Sequence, residues 1–147
     1  MNVNLGCGEK AVNGCINVDF RQTAIVDAIH DLTVFPWPFD DRQFETAYAY
    51  DIIEHMLFVV PFVDEVWRIL QPGGRLYIRT SYFETEQSYM DPTHFHYFTL
   101  QSFDFFDPST EIGRRYHWYT GRKWRVIDRC VEGQEAEFEL QKEVLGV

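Results

Sequence analysis

The hydrophobic positions fall into short runs separated by glycine and proline. Residues 2–5 are too few to judge by period, but the turn Gly6-Cys7-Gly8 directly behind them argues for a strand. Residues 14–20 carry Cys15, Ile16, Val18 and Phe20, the pattern of a second buried strand. Only residues 9–13 lie between the two runs, so a crossover helix does not fit or shrinks to about one turn, whereas parallel strands usually take about a dozen connecting residues. Residues 25–32 read as a third strand. Pro36 and Pro38 exclude a helix over 35–39. Residues 44–50 alternate, Ala47 and Ala49 against Tyr48 and Tyr50, and predict a fourth strand. Pro61 suits the first turn of a helix reaching about residue 70, with Phe62, Val63, Val66, Ile69 and Leu70 as its apolar stripe. Gln71-Pro72-Gly73-Gly74 stops that helix, and a strand follows over 76–80. Leu100, Phe103 and Phe106 recur at helical spacing and predict a short helix over 99–106. Residues 124–130 and 136–140 form two last strands, joined at Glu132-Gly133-Gln134 as an antiparallel hairpin.

Strand and helix alternate twice before that hairpin. The expected fold is α/β: a Rossmann-like open twisted sheet, mostly parallel, with an antiparallel hairpin at the C-terminal end and curtailed at the N-terminus. The 147 residues suffice for one domain spanning 1–147. A chain that is 46% hydrophobic and 17% aromatic is globular, and its formal charge of −10 disfavours duplex nucleic acid and anionic membranes as partners. No apolar run approaches the roughly 20 residues of a membrane span, and no signal-peptide pattern precedes the first strand. Cys7, Cys15 and Cys130 are odd in number and lack paired metal spacing, which suggests free thiols and a reducing, cytoplasmic setting.

In open α/β sheets, ligands bind beyond the carboxyl ends of the strands. Polar groups stand at four such ends. Gly6-Cys7-Gly8 follows the first strand, Asp19 ends the second, Asp31 the third and Asp51 the fourth, with Glu54 and His55 one helical turn on. Each signal alone has an ordinary reading as a turn or a helix cap. Their order along one sheet predicts a nucleoside cofactor, with glycines permitting close backbone approach and a carboxylate holding ribose hydroxyls. A nicotinamide site fits less well, since position 11 is Ala and Asp19 stands too soon after the glycines.

Five segments carry a resemblance: Asn4-Leu5-Gly6-Cys7-Gly8, Ile16-Asn17-Val18-Asp19, the run from His30 through Phe39, the run from Ala49 through His55, and the run from Trp67 through Leu76. In this order they resemble the class I S-adenosylmethionine-dependent methyltransferases, in the small methyltransferase-domain (type 11-like) branch. Asp91-Pro92-Thr93-His94 with Phe98-Thr99 extends the likeness. The resemblance implies S-adenosylmethionine as cofactor, bound by Gly6, Cys7, Gly8, Asp19, Phe20, Asp31, Leu32, Asp51 and His55. In that scheme Asp19 accepts from the ribose diol, Asp31 accepts from the adenine amine, the Leu32 amide meets a ring nitrogen, and Asp51 and His55 line the pocket near the sulfonium. Two departures stand out. Asn4 replaces a usual acidic residue, and Lys10 occupies the third glycine position. The family usually carries helical residues before the first strand, so the expectation is that this lid is missing or supplied by another chain, a second copy or a partner.

Methyl transfer to oxygen or nitrogen calls for positioning and, for some acceptors, a general base. Asp91 and His94 are the candidate catalytic residues, in the loop where an acceptor would bind. The same loop admits two other readings: hydrogen bonds that merely tie it, or a metal held by Asp91, His94 and His96. His30 and His117 read as structural, the aromatics between Phe95 and Phe106 as mostly core, and Trp37 as either core or adenine neighbour. A small-molecule or glycan-like acceptor is the expected substrate, and a non-catalytic binding module is the alternative.

Overall fold

The computed structural model describes residues 1–144. Seven strands form one sheet: β1 (Asn2–Leu5), β2 (Cys15–Asp19), β3 (Ala28–Ile29), β4 (Phe44–Tyr50), β5 (Leu70–Ser81), β6 (Trp124–Glu132) and β7 (Glu135–Lys142). Their spatial order is β3-β2-β1-β4-β5-β7-β6. The first five run parallel, and β7 lies antiparallel to both β5 and β6. The helices are α1 (Val59–Ile69), α2 (Glu86–Met90) and α3 (Glu111–Arg115), with 3₁₀ turns at Ile53–His55, Ser102–Phe106 and His117–Tyr119. The expected mixed, mostly parallel sheet is present, and Gly133 at φ 61° turns the terminal hairpin.

Three local expectations shift. The third strand shrinks to Ala28–Ile29, because the Asp27 carboxylate takes the Asn17 amide (2.8 Å) and ends the ladder early. The helix stops at Ile69, before the Pro-Gly-Gly run: Leu70 already pairs with Phe44, and that run bends the start of β5. A Cβ on Gly74 would stand 2.8 Å from the Gln71 carbonyl oxygen and 3.0 Å from that of Glu45, so only glycine fits that bend. Residues 99–106 form a 3₁₀ turn over Ser102–Phe106 in place of an α-helix; it still buries Phe103 and Phe106.

Among the described residues no helix joins β1 to β2. Their nine-residue connection is held by two asparagines that point away from the helix side of the sheet. Asn4 Nδ2 donates to the Lys10 carbonyl and to Asn17 Oδ1, each at 3.0 Å, and Asn17 Oδ1 also accepts from the Val12 amide (3.0 Å). These bonds satisfy backbone groups that a crossover helix would have satisfied internally. The opposite face is apolar: Val3, Leu5, Ala47, Ala49, Leu76, Ile78, Phe138 and Leu140 belong to the core with Phe62, Val63, Val66 and Ile69 of α1. Each large side chain so buried contributes about 1.5–3 kcal/mol.

The proline segment is pinned to α1. Buried Glu65 accepts from the Trp37 amide and from Arg68 Nε (2.6 Å), while Arg68 donates to the carbonyls of Phe39 (2.8 Å) and Trp37 (3.2 Å). Trp37 is core, 2% exposed, with its indole donating to the Leu32 carbonyl (3.1 Å). Its indole N–H therefore holds the chain at Leu32, beside the cleft described next.

Candidate functional site

The carboxyl ends of β1, β2 and β4 border a trough made of three adjoining cavities. One, about 280 Å³, is lined by Asp19, Phe20, His30, Asp31, Leu32, Ile52, His55 and Met56, with Gly6 at its edge. A second, about 510 Å³, lies along the glycine turn and reaches Tyr50, Asp51 and Arg79. Gly6 lines both. The third, about 270 Å³, is bounded by Asp51, Glu54, His55, Met90, Asp91, His94 and Glu135. Asp51 joins it to the glycine cavity and His55 joins it to the first.

Sequence chemistry sets this shape. Gly6 (φ 69°) passes so close to Ile52 that a Cβ would lie 2.7 Å from Ile52 Cγ1. Gly8 (φ 54°) faces open space, where a Cβ would meet nothing within 4 Å. The Gly8 amide donates to Asp19 Oδ2 (2.9 Å), and the Arg21 amide donates to Asp19 Oδ1 (2.9 Å). Asp19 therefore faces the glycine bend, and each of its oxygens retains a lone pair for a ligand. It is 7% exposed, so it is more deeply seated than a rim residue. The Cys7 amide donates to the Val18 carbonyl (2.9 Å), so Gly6, Cys7 and Gly8 offer a ligand space and shape, while the Cys7 and Gly8 amides are already bonded within the chain. Burial, then the Asp19 charge, push the Cys7 thiol above its ordinary pKa.

Asp31 starts a turn in which its Oδ1 accepts from the Thr33 hydroxyl (2.7 Å) and amide (2.9 Å), bonds that hold its carboxyl below the usual range. Leu32, next in the chain, is buried. Asp51 has φ 57°, an uncommon backbone for a non-glycine residue, and pairs with Arg79 at 2.8 Å. Such outliers gather where structure serves a site.

On the third cavity, segments distant in sequence meet. The Phe95 amide donates to the Glu54 carbonyl (2.8 Å), and His96 Nε2 bonds the Leu57 carbonyl (2.9 Å), clamping the 91–96 loop onto the turn after β4. No metal is the expectation from sequence, and His96, thereby held at Leu57, drops out of the alternative metal set of Asp91, His94 and His96. His55 takes its place, its ring edge-on to His94 at 4.7 Å between centroids. Asp91 Oδ1 accepts from the Thr93 hydroxyl (2.7 Å) and amide (2.8 Å), which hold its pKa low, and Asp91 Oδ2 lies 3.6 Å from His94 Nε2.

Sequence reading missed Arg79, Met56, Ile52 and Arg21 in the trough, and took His30 as merely structural although it lines the first cavity. A mid-strand arginine carries no signal that it will lie beside the end of a neighbouring strand. Of the aromatics, Phe98, Phe103 and Phe106 are core, whereas Phe95 and Tyr97 are exposed.

A mostly parallel sheet with a glycine turn, carboxylates and a trough at its strand ends has the Rossmann-like architecture. The family model described as "Methyltransferase domain" (Methyltransf_11) matches residues 9–78, just under half of the chain. Over those residues the chain is similar to the type 11 branch of the class I S-adenosylmethionine-dependent methyltransferases, and the match supports that reading of the fold. No curated protein gives a significant sequence match. Solved structures share the architecture at low identity. A complex of the Haloferax volcanii Trm112 methyltransferase activator with a methyltransferase aligns at TM-score 0.69 and 13% identity, covering 99% of this chain and 83% of that one. The [4+2]-cyclase SpnF aligns at TM-score 0.66 and 14% identity, covering 97% and 74%. A SAM-dependent methyltransferase from Aquifex aeolicus aligns at TM-score 0.62 and 12% identity, covering 96% and 81%.

Proposed function

We propose that this chain binds S-adenosylmethionine in the first two cavities and transfers its methyl group to a small-molecule or glycan-like acceptor in the third. The observation that carries this reading is Asp19, a buried carboxylate bonded to the glycine turn and lining the cavity that continues to Asp31 and Leu32. Asp19 accepts from ribose hydroxyls and the free oxygen of Asp31 accepts from the adenine amine. Phe20, Leu32, Ile52 and Met56 give the base apolar walls. Gly6, Cys7 and Gly8 leave room for the amino-acid end, and Asp51 holds its ammonium. The cofactor, when bound, supplies a methyl group activated on a sulfonium. His55 stands between donor and acceptor cavities. His94 donates from Nδ1 to the Ser88 carbonyl (2.9 Å), which leaves the Nε2 lone pair facing the acceptor cavity to take a proton, with Asp91 beside it.

A partner chain or a second copy covering the trough fits the open sheet face beside it. A cytoplasmic setting fits the three free cysteines. No helix among the described residues is long and apolar enough to cross a membrane. A non-catalytic module is the second reading, favoured by the missing helix between β1 and β2; a neighbour named as a cyclase shows that this fold does not dictate one reaction.

The test is calorimetry with S-adenosylhomocysteine. Saturable binding that weakens at least about tenfold in Asp19→Asn, which keeps the side-chain shape, is expected, since a charged hydrogen bond is worth about 1.5–3 kcal/mol. A folded protein that binds none overturns the reading. Binding with no turnover over a broad acceptor panel, in the presence of a covering partner, favours the non-catalytic module.

A further inference from the structure

The third cavity holds three side chains whose mutual placement goes beyond what a single base for methyl transfer requires. One ligand atom each from His55, Asp91 and His94 lies within 4.8 Å of the others, and the hydrogen bonds around them fix where the protons are. The Thr93 hydroxyl donates to Asp91 Oδ1, a carboxylate that only accepts. Toward His55 Nδ1, 3.0 Å away, Thr93 Oγ1 is then the acceptor, so His55 carries its proton on Nδ1. His94 Nδ1 faces the Ser88 carbonyl and carries its proton there too. The Nε2 lone pair of His94 is left free 3.6 Å from Asp91 Oδ2, and the Nε2 of His55 is left unprotonated. Metal-binding histidines are oriented in this manner, each anchored through the other nitrogen to an oxygen.

A second observation points to a ligand independently. Glu54 is 2% exposed and lines the same cavity. Its Oε2 accepts from the Thr80 hydroxyl (2.7 Å), but its buried Oε1 has no donor. A buried carboxylate oxygen without a donor is costly, and a water or hydroxyl carried by a cation would supply one.

We propose that His55, Asp91 and His94 bind one divalent first-row transition cation. Two imidazoles and one carboxylate suit manganese, iron, cobalt or zinc better than the harder magnesium or calcium, and three protein ligands leave positions open. Donor atoms around an ion with bonds of about 2.1 Å stand roughly 3.0–3.4 Å apart, so the site must contract by about 1.5 Å. Asp91 sits on a partly exposed loop and supplies that movement. The open positions face the acceptor cavity and take a hydroxyl or carboxylate oxygen of the acceptor. With a cation bound, His94 Nε2 is a ligand and no longer takes a proton, so the cation-bound oxygen replaces the His94 base of the methyl-transfer reading; that step alone rests on the reading, and cation binding does not.

Metal-stripped protein titrated with Co²⁺ and followed by visible absorption tests the site. One equivalent of Co²⁺ is expected, with the weak bands of nitrogen and oxygen ligation and no intense near-ultraviolet band from thiolate. His55→Asn and Asp91→Asn, whose side chains are partly solvent-accessible, should each weaken binding at least about tenfold while circular dichroism stays native. Thr93→Val should weaken it about 10–100-fold through the lost orientation of His55. His96→Ala, which removes one clamp of the loop but no ligand, should weaken binding less than His55→Asn does. No stoichiometric binding, unchanged binding in folded His55→Asn, or a thiolate band overturns the proposal. S-adenosylhomocysteine binding is measured on the same stripped protein. Nucleoside binding without cobalt binding sinks the cation site alone, and cobalt binding without nucleoside binding sinks the cofactor reading while leaving the cation site standing.

Discussion

Along β5, Leu76 and Ile78 lie under α1 and are at most 1% exposed, while the alternate residues Tyr77 and Arg79 remain partly open on the other side of the sheet. The same division runs across β4 and β7. On the open side Tyr48 stacks on Tyr77 (5.5 Å, 18°), Arg79 lies over Tyr50 (4.7 Å), and Glu139 accepts from Arg75 and Tyr77. A doubly wound sheet buries both faces and reads as continuous apolar runs. Here one face is held by burial and the other by aromatic stacking and ion pairs between residues of neighbouring strands. A missing crossover helix therefore need not leave a greasy surface: the exposed register has been rewritten in tyrosine, arginine and glutamate. Even the helix-free β1–β2 link follows this rule, with Asn4 and Asn17 on the polar register bonding the loop.

The sharpest break of this contrast is on the covered side. Phe62→Ala should lose about 3–5 kcal/mol in urea unfolding, because a fully buried ring leaves a cavity. Asp19 lies on the polar register yet is buried, and should behave as both structure and site. Asp19→Ala strands the Gly8 and Arg21 amides and should cost about 1–3 kcal/mol of stability besides its loss of nucleoside affinity. A variant of parental stability would show that water replaces those bonds.

Lys142 tests the reverse case, a charge admitted to the covered side. Its ammonium donates to the carbonyls of Trp67 (2.9 Å) and Leu70 (2.7 Å), and burial pulls its pKa down to about 8. The unfolded amine holds its proton to about 10.4. Between those values the unfolded chain binds more protons than the folded one, so this group makes stability rise with pH from about 8 toward 10.4. The difference between parent and Lys142→Met in unfolding midpoint should change across that window and stay flat below pH 7. The smallest effect is expected on the open side. Tyr48→Ala should cost about 0.5–1.5 kcal/mol, the worth of a stacked pair, and a loss as large as that of Phe62→Ala would mean that the two faces are not built differently.

Legibility in the sequence followed the same division. The alternation of Ala47 and Ala49 with Tyr48 and Tyr50, and of Phe138 and Leu140 with Glu137 and Glu139, announced strands with two unlike sides. The third strand was overestimated because the pattern does not show that Asp27 will replace a ladder bond by a side-chain one. In the site, the rule that polar residues follow strand ends found Asp19, Asp31 and Asp51. It does not find Arg79, which stands inside a strand, nor the meeting of His55 with His94, which depends on how the 91–96 loop is clamped. The bond from Phe95 to Glu54 and the one from His96 to Leu57 are tertiary, and no local spacing encodes them.

That clamp fastens the loop to the very turn that carries His55, which borders both the cavity of Asp19 and Asp31 and the cavity of Asp91 and His94. The two compartments share a wall. A molecule that shifts this wall from one side alters the fit on the other, and linkage requires the influence to run equally in both directions.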